Sequence, residues 1–160
     1  MTAIVTGSFD PITIGHEDII NRASKLFGFV IVAVANNPEK TAMFSADERF
    51  GAVSAAFEGR ADVKVIKFSG LAASLARKEG GVIVRGARGS FDFEYEKTLF
   101  EINRELFGVD TVVLPSKTEY SFISSAFVRE LISHGHPYEK YIPESAAEYL
   151  SEAKNGKRRT

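Results

Sequence analysis

The chain has 160 residues, 44% of them hydrophobic, which suits one domain with a core of useful size. Lys and Arg number 20 against 21 Asp and Glu, so the net charge of −1 lacks the basic excess of a protein that lives on DNA or RNA. There is no cysteine, which removes disulfides, thiolate nucleophiles and Cys-ligated metals.

Strand-like and helix-like patterns alternate along the chain. Thr2 to Val5 forms a first short strand and runs into Gly7 with no charged leader or apolar stretch before it. A helix is expected over 15–27, with Ile19, Ile20, Ala23, Leu26 and Phe27 as its buried stripe. Phe29 to Ala35 is apolar at every position, as in a parallel strand covered on both faces. Ser45 and Glu48 have capping-box spacing and start a helix to about Phe57. Val63 to Phe68 is the third strand, 71–78 a helix closed by Gly80-Gly81, and Val82 to Val84 the fourth strand. Ser90 is the expected cap of a long helix to Phe107, with Tyr95, Leu99, Ile102 and Leu106 buried and Gly108 stopping it. Thr111 to Leu114 is the fifth strand, and helices over 124–133 and 143–153 complete the pattern. Lys154 to Arg159 holds the one basic run, so the expected division is a domain over 1–153 and a solvated basic tail over 154–160. No apolar run approaches the ~20 residues of a membrane-spanning helix, and the expectation is a soluble cytoplasmic protein.

Five strands separated by helices predict a single-domain α/β fold, a doubly wound five-stranded parallel sheet. Such sheets bind ligands beyond the carboxyl ends of their strands, near the switch in strand order. Function is therefore expected in segments 7–16, 36–44, 85–90 and 116–125.

The first segment reads Gly7-Ser8-Phe9-Asp10-Pro11-Ile12-Thr13-Ile14-Gly15-His16. Gly7 permits a sharp turn and close approach of a phosphate, and Ser8 offers a hydroxyl. His16 lies in the first turn of a helix, where anions are favoured. Alone, such a histidine reads as an ordinary surface residue; its context singles it out. Lys40, in Asn37-Pro38-Glu39-Lys40, reads alone as a solvated loop lysine. Arg85-Gly86-Ala87-Arg88-Gly89 places two guanidinium forks around a turn, a suitable clamp for a polyphosphate. Glu96 and Asn103 share one face of the long helix, and by themselves read as solvated positions. In Tyr120-Ser121-Phe122-Ile123-Ser124-Ser125-Ala126-Phe127-Val128-Arg129, the two serines at a helix start either hold anionic oxygens or simply cap the helix. His134 and His136, beside Gly135 and Pro137, read as cap or surface residues.

These motifs together resemble the nucleotidyltransferase superfamily, whose signature opens Gly-Thr/Ser-Phe-Asp and closes His/Thr-x-Gly-His. Thr13 at the start of the closing Thr13-Ile14-Gly15-His16 is similar to phosphopantetheine adenylyltransferases, whereas nicotinate-mononucleotide and cytidylyl-transferring relatives usually carry His there. Ile123-Ser124-Ser125 and Val128-Arg129 resemble that family's second signature, and the likeness runs from Ile4 to about Leu150. The resemblance implies a Rossmann-like nucleotidyltransferase fold. It also implies transfer of AMP from ATP to 4′-phosphopantetheine, giving dephospho-coenzyme A and pyrophosphate, with His16 stabilising the transition state. ATP contacts are implied for Ser8, Phe9, His16, Gly86, Ala87, Arg88 and Glu96, and for the run Tyr120, Ser121, Phe122, Ile123, Ser124, Ser125 and Ala126. Acceptor contacts are implied for Ser8, Lys40, Leu71, Ala72, Arg85 and Asn103. Mg²⁺ would arrive with ATP and no protein metal site is expected. A homohexamer and feedback binding of coenzyme A are likewise implied, with no nucleic-acid or membrane partner.

Two departures stand out. Ala126 replaces a frequent third serine, and Ala72 stands where relatives often carry a larger residue. The alternatives are adenylyl or cytidylyl transfer to another phosphorylated acceptor such as nicotinate mononucleotide, and a nucleotide-binding module without catalysis.

Overall fold

A computed structural model describes residues 1–36 and 41–157, with side chains described to Ala153. Its strands are β1 (Thr2–Gly7), β2 (Phe29–Ala35), β3 (Val63–Phe68), β4 (Val82–Ala87) and β5 (Thr111–Pro115). They form one sheet in the order β3-β2-β1-β4-β5, every pair parallel. The helices are α1 (Ile14–Phe27), α2 (Ala46–Ala56), α3 (Ala72–Lys78), α4 (Ser90–Phe107), α5 (Ser125–Ser133) and α6 (Glu144–Lys157). The expected doubly wound α/β architecture is therefore present.

The chain direction across the sheet reverses between β1 and β4. These two strands pair only through Ala3–Val82 and Ile4–Ile83, whereas β1 and β2 stay in register from Thr2–Phe29 to Gly7–Val34. β1 and β4 thus part toward their carboxyl ends and leave a crevice at the switch point, where this architecture binds ligands.

Alternation along the buried strands divides the core between the two faces. Val30, Val32 and Val34 pack with Ile20, Val53 and Val128 in one cluster. Ile31 and Ala33 pack with Ile4, Ile83 and the α3 residues Ala73 and Ala76 in the other. Local signals set the helix ends. Ser45 accepts from the Glu48 amide while the Glu48 carboxylate accepts from Ser45 N–H, the reciprocal capping box expected for α2. Gly108 ends α4 at φ 65°, a left-handed geometry that suits a residue without Cβ.

Several expectations need correction. In α1, Leu26 is 63% exposed and does not belong to the buried stripe; Ser24 is buried instead, its hydroxyl bonded to the Asp62 carboxylate. β4 extends through Arg85, Gly86 and Ala87, so these residues are strand and not loop. The N-cap of α4 is Gly89, without a side-chain cap bond, and Ser90 is the first helical residue. The expected α4 stripe is largely uncovered in the single chain: Tyr95 is 63% exposed, Ile102 46% and Leu106 64%, while Glu96 is buried. The apolar periodicity is real, but it faces away from this chain's own core. Two 3₁₀ turns, Thr118–Tyr120 and Glu139–Tyr141, carry no apolar period and were not expected. Among the described residues no helix is long and apolar enough to cross a membrane.

Core position and surface position on α1 should separate in stability. Ile20 is fully buried and Leu26 is not. Ile20→Ala is expected to cost about 2–5 kcal/mol in urea unfolding, and Leu26→Ala under about 0.5 kcal/mol. Equal losses would contradict the assignment of the helix faces.

Candidate active site

The crevice opens into a cavity of about 450 Å³ walled by β1, β4, the starts of α1 and α5, and one face of α4. Its first loop is tightly fixed. Phe9 sits at φ 47°, unusual for a residue with a side chain, and is buried. A Cβ on Gly7 would lie 3.1 Å from the Phe9 ring, so glycine here makes room for that ring. Asp10 is buried, and its carboxylate accepts from the amides of Met43 and Phe44, both at 2.9 Å. Arg129 on α5 donates to the Asp10 carbonyl at 2.8 Å, and Ser125 Oγ donates to the Pro11 carbonyl at 2.8 Å. The loop after β1, the segment before α2 and the start of α5 are therefore locked together.

His16 is the third residue of α1 and takes part in a second reciprocal cap. Its backbone N–H donates to Thr13 Oγ1 at 3.3 Å, and Thr13 N–H donates to His16 Nδ1 at 3.0 Å. The imidazole fills the place usually held by a Glu or Gln side chain in a capping box. Accepting that bond requires Nδ1 to be unprotonated, so the neutral ring carries its proton on Nε2. Burial first, then the positive charges of Arg88 and Arg85, draw the His16 pKa down from 6.5 to about 4. Near neutral pH the ring is an uncharged hydrogen-bond donor, packed edge-on to Phe9 with centroids 5.2 Å apart.

Three guanidinium groups, Arg85, Arg88 and Arg129, line the same cavity. Each of the first two is held by a carboxylate on α4. Arg85 Nε donates to Glu96 at 3.0 Å and its Nη1 to the Thr6 carbonyl at 2.7 Å. Arg88 Nε donates to Asp92 at 3.0 Å, and the same carboxylate accepts from Arg88 N–H at 3.1 Å. Fixing Nε leaves Nη donors to meet an anion, in a direction the protein has set beforehand.

The start of α5 supplies backbone donors. Ser124 Oγ caps the helix by accepting from Phe127 N–H at 3.1 Å, and Ser125 Oγ is committed to Pro11. Both hydroxyls thus work within the protein. The amides of Ser125 and Ala126 belong to the first turn, where N–H groups lack intrahelical partners and favour anions. The missing third serine leaves the Ala126 amide in place.

Of the residues singled out in the sequence, the cavity gathers Ser8, Phe9, His16, Arg85, Gly86, Arg88, Glu96, Tyr120, Ile123, Ser124, Ser125 and Ala126. Others lie off its walls. Ala87 is buried at the end of β4. Ser121 turns its hydroxyl to the Thr118 carbonyl, and Phe122 meets Phe127 and Tyr141 edge-to-face. Leu71 is the exposed N-cap of α3, Ala72 packs on the second core cluster, and the Asn103 carbonyl closes the end of α4. Lys40 lies outside the described residues. His134 and His136 are exposed, as expected. From the sequence no contact was assigned to Thr13, Asp92 or Arg129, which line the cavity, or to Asp10 and Arg49, which brace it, although Arg129 closes the second motif. Thr13 and Asp10 sat inside the first motif. Nothing in the spacing of Arg49 marked it.

The ring chemistry is directly measurable. In an NMR titration of the ligand-free protein, the His16 ring should titrate near pH 4, and a midpoint near 6.5 would contradict the half-buried, capped geometry beside two arginines. Because the unfolded chain protonates first, this group should lower folding stability progressively as pH falls from about 6.5 to about 4.

The chain is similar over most of its length to known proteins. A cytidylyltransferase-like family model matches residues 4–131. The chain is 46% identical over 143 residues to the phosphopantetheine adenylyltransferase of Porphyromonas gingivalis, covering 89% of this chain and 94% of that protein. It is 43% identical over 156 residues to the enzyme of that name from Haemophilus ducreyi, covering 96% and 97%. Identity to the one from Thermosynechococcus vestitus is 43% over 152 residues, covering 94% and 90%. With the parallel sheet, the capped histidine and the arginine-lined crevice, these matches establish that the chain belongs to the phosphopantetheine adenylyltransferase family of nucleotidyltransferases.

Proposed function

We propose that the cavity moves the adenylyl group of ATP onto 4′-phosphopantetheine, giving dephospho-coenzyme A and pyrophosphate, a step of coenzyme A biosynthesis. The observation that carries this reading is a neutral imidazole held by Thr13 in one cavity with Arg85, Arg88 and Arg129. That arrangement suits two polyanionic reactants better than a single nucleotide.

The acceptor is a phosphate monoester with a second pKa of about 6, largely a dianion at neutral pH. Its oxygen attacks the α-phosphorus of ATP directly, the bond to the bridging oxygen breaks, and that electron pair leaves on pyrophosphate. No general base is needed. The protein aligns the reactants and meets the charge that develops. His16 Nε2–H donates to the α-phosphate oxygens. Arg88, Arg129 and the Ser125 and Ala126 amides hold the β- and γ-phosphates, and Arg85 receives the acceptor phosphate. Glu96, Tyr120 and Ile123 belong to the ATP side, with Ala87, Ser121 and Phe122 shaping it from behind. Lys40, Leu71, Ala72 and Asn103 are proposed for the acceptor side.

Mg²⁺ would neutralise charge on the polyphosphate. Among the described residues no group of three His, Asp or Glu side chains could hold a metal ion, and the cavity's Asp92 and Glu96 are engaged by arginines. The donor set fits an ion bound chiefly through phosphate oxygens and water.

The uncovered stripe of α4 supports a homohexamer in which copies of the chain bury Tyr95, Ile102 and Leu106. Coenzyme A, which contains the product's skeleton, is proposed as a feedback ligand of the cavity, and the cytoplasm as the place of work.

Incubation of the protein with ATP, Mg²⁺ and 4′-phosphopantetheine should yield dephospho-coenzyme A by mass; ATP binding without acceptor-dependent pyrophosphate release would instead indicate a binding module. His16→Ala should lower kcat by about 10²–10³-fold with little change in the KM for ATP, and a near-normal kcat would remove the imidazole from the mechanism. Light scattering should give six times the 17.5 kDa chain mass for the wild type and smaller species for Ile102→Asp; a wild-type monomer would exclude the hexamer.

A further inference from the structure

Arg49, on α2, is 5% exposed and does not line the cavity. Its Nη1 donates to the carbonyls of Ser8 at 2.6 Å and Ala35 at 2.8 Å, and its Nε to the carbonyl of Phe44 at 3.2 Å. Among the described residues no carboxylate forms an ion pair with it. A buried cation balanced by backbone dipoles alone is an expensive way to join three segments, because an apolar side chain fills such space without a desolvation penalty. Its geometry suggests why it is there.

The Ser8–Phe9 peptide is trans, since among the described residues the cis bond lies at Asp10–Pro11. In a trans peptide the C=O and the following N–H point in opposite directions. Arg49 draws the Ser8 carbonyl toward α2, away from the cavity that Ser8 and Phe9 line. The Phe9 N–H is thereby turned to the cavity, and no acceptor among the described residues takes it up. The unusual φ of 47° at Phe9 is the backbone counterpart of this orientation. The Phe9 ring, packed between Gly7 and His16, keeps the residue there.

We propose that Arg49 is a positioning residue for the reaction: it fixes the Ser8–Phe9 peptide so that the Phe9 N–H stands beside the His16 imidazole as a second, backbone donor to the substrate phosphate. The inference rests on the proposed adenylyl transfer for its kinetic consequence, but not for the orientation of the amide. Such a donor does not reorganise as charge develops, because a buried guanidinium holds its carbonyl end.

The test uses the wild-type protein, Arg49→Met and Arg49→Lys. Each is checked for folding by circular dichroism and assayed well below its melting temperature. Mg·ATP is the probe in ¹H–¹⁵N spectra. The Phe9 amide of the wild type should move downfield when Mg·ATP is added. Folded Arg49→Met should lose about tenfold or more in kcat, less than the ~10²–10³-fold of a directly deleted donor, with a smaller change in the KM for ATP. Its Phe9 amide should no longer respond, and Arg49→Lys should recover part of both losses. A wild-type Phe9 amide indifferent to Mg·ATP overturns the proposal. So does a folded Arg49→Met or Arg49→Lys protein with wild-type kcat and Phe9 response, which would make Arg49 structural only. If Arg49→Met fails to fold, Arg49→Lys and the wild-type spectrum decide. A wild-type protein that shifts Phe9 with Mg·ATP yet makes no dephospho-coenzyme A would sink the reaction and leave the amide's orientation supported.

Discussion

The proposed chemistry depends on the reciprocal bond between Thr13 and His16 at the start of α1. A capping residue normally serves only the helix. Here the bond from Thr13 N–H also fixes the tautomer of the ring, occupying Nδ1 and leaving the proton on Nε2. The same bond aims the ring by anchoring one edge. Replacing the usual Glu of the cap with histidine therefore turns a stabilising device into an oriented donor, and burial, helped by the two arginines nearby, keeps that donor neutral.

Around it, positive charge is concentrated but restrained. Arg85 and Arg88 are each held through Nε by a carboxylate of α4, one turn apart at Glu96 and Asp92. The pairing limits how far the guanidinium groups wander and moderates their mutual repulsion while the cavity lacks an anion. Helix starts add partial positive charge without any further side chain. The parting of β1 from β4 makes room for this assembly, so the sheet topology and the electrostatics meet at one place.

Much of this was legible in the sequence because it is local. The bounds of β2 and β3, the Ser45–Glu48 box and the Gly108 stop follow from patterns within a few residues. The motif around His16 and the Arg85–Arg88 pair likewise lie on short segments that the fold brings together. What was not legible depends on neighbours distant in sequence. The α4 stripe has helical period, but periodicity does not reveal whether an apolar face meets its own chain or another. Leu26 lies at the flank of the α1 stripe and is exposed although Phe27, the next residue, packs on the core, and Ser24 is buried with its hydroxyl bonded to Asp62, 38 residues away. Arg49 has the composition of a surface position, and its three carbonyl partners come from segments up to 41 residues away. The serines show a subtler limit: Ser124 Oγ accepts the capping bond of α5 while Ser125 Oγ donates to the Pro11 carbonyl, a contact with a segment 114 residues away that their motif does not show.

In the proposed reaction this cavity works by alignment and charge alone, with the acceptor phosphate attacking ATP in a single displacement. The stereochemistry at the α-phosphorus tests it most directly. Turnover of one diastereomer of ATP bearing sulfur on the α-phosphate, with 4′-phosphopantetheine as acceptor, should invert the configuration. Retention would mean two displacements through a covalent nucleotidyl–protein intermediate, and would contradict the account.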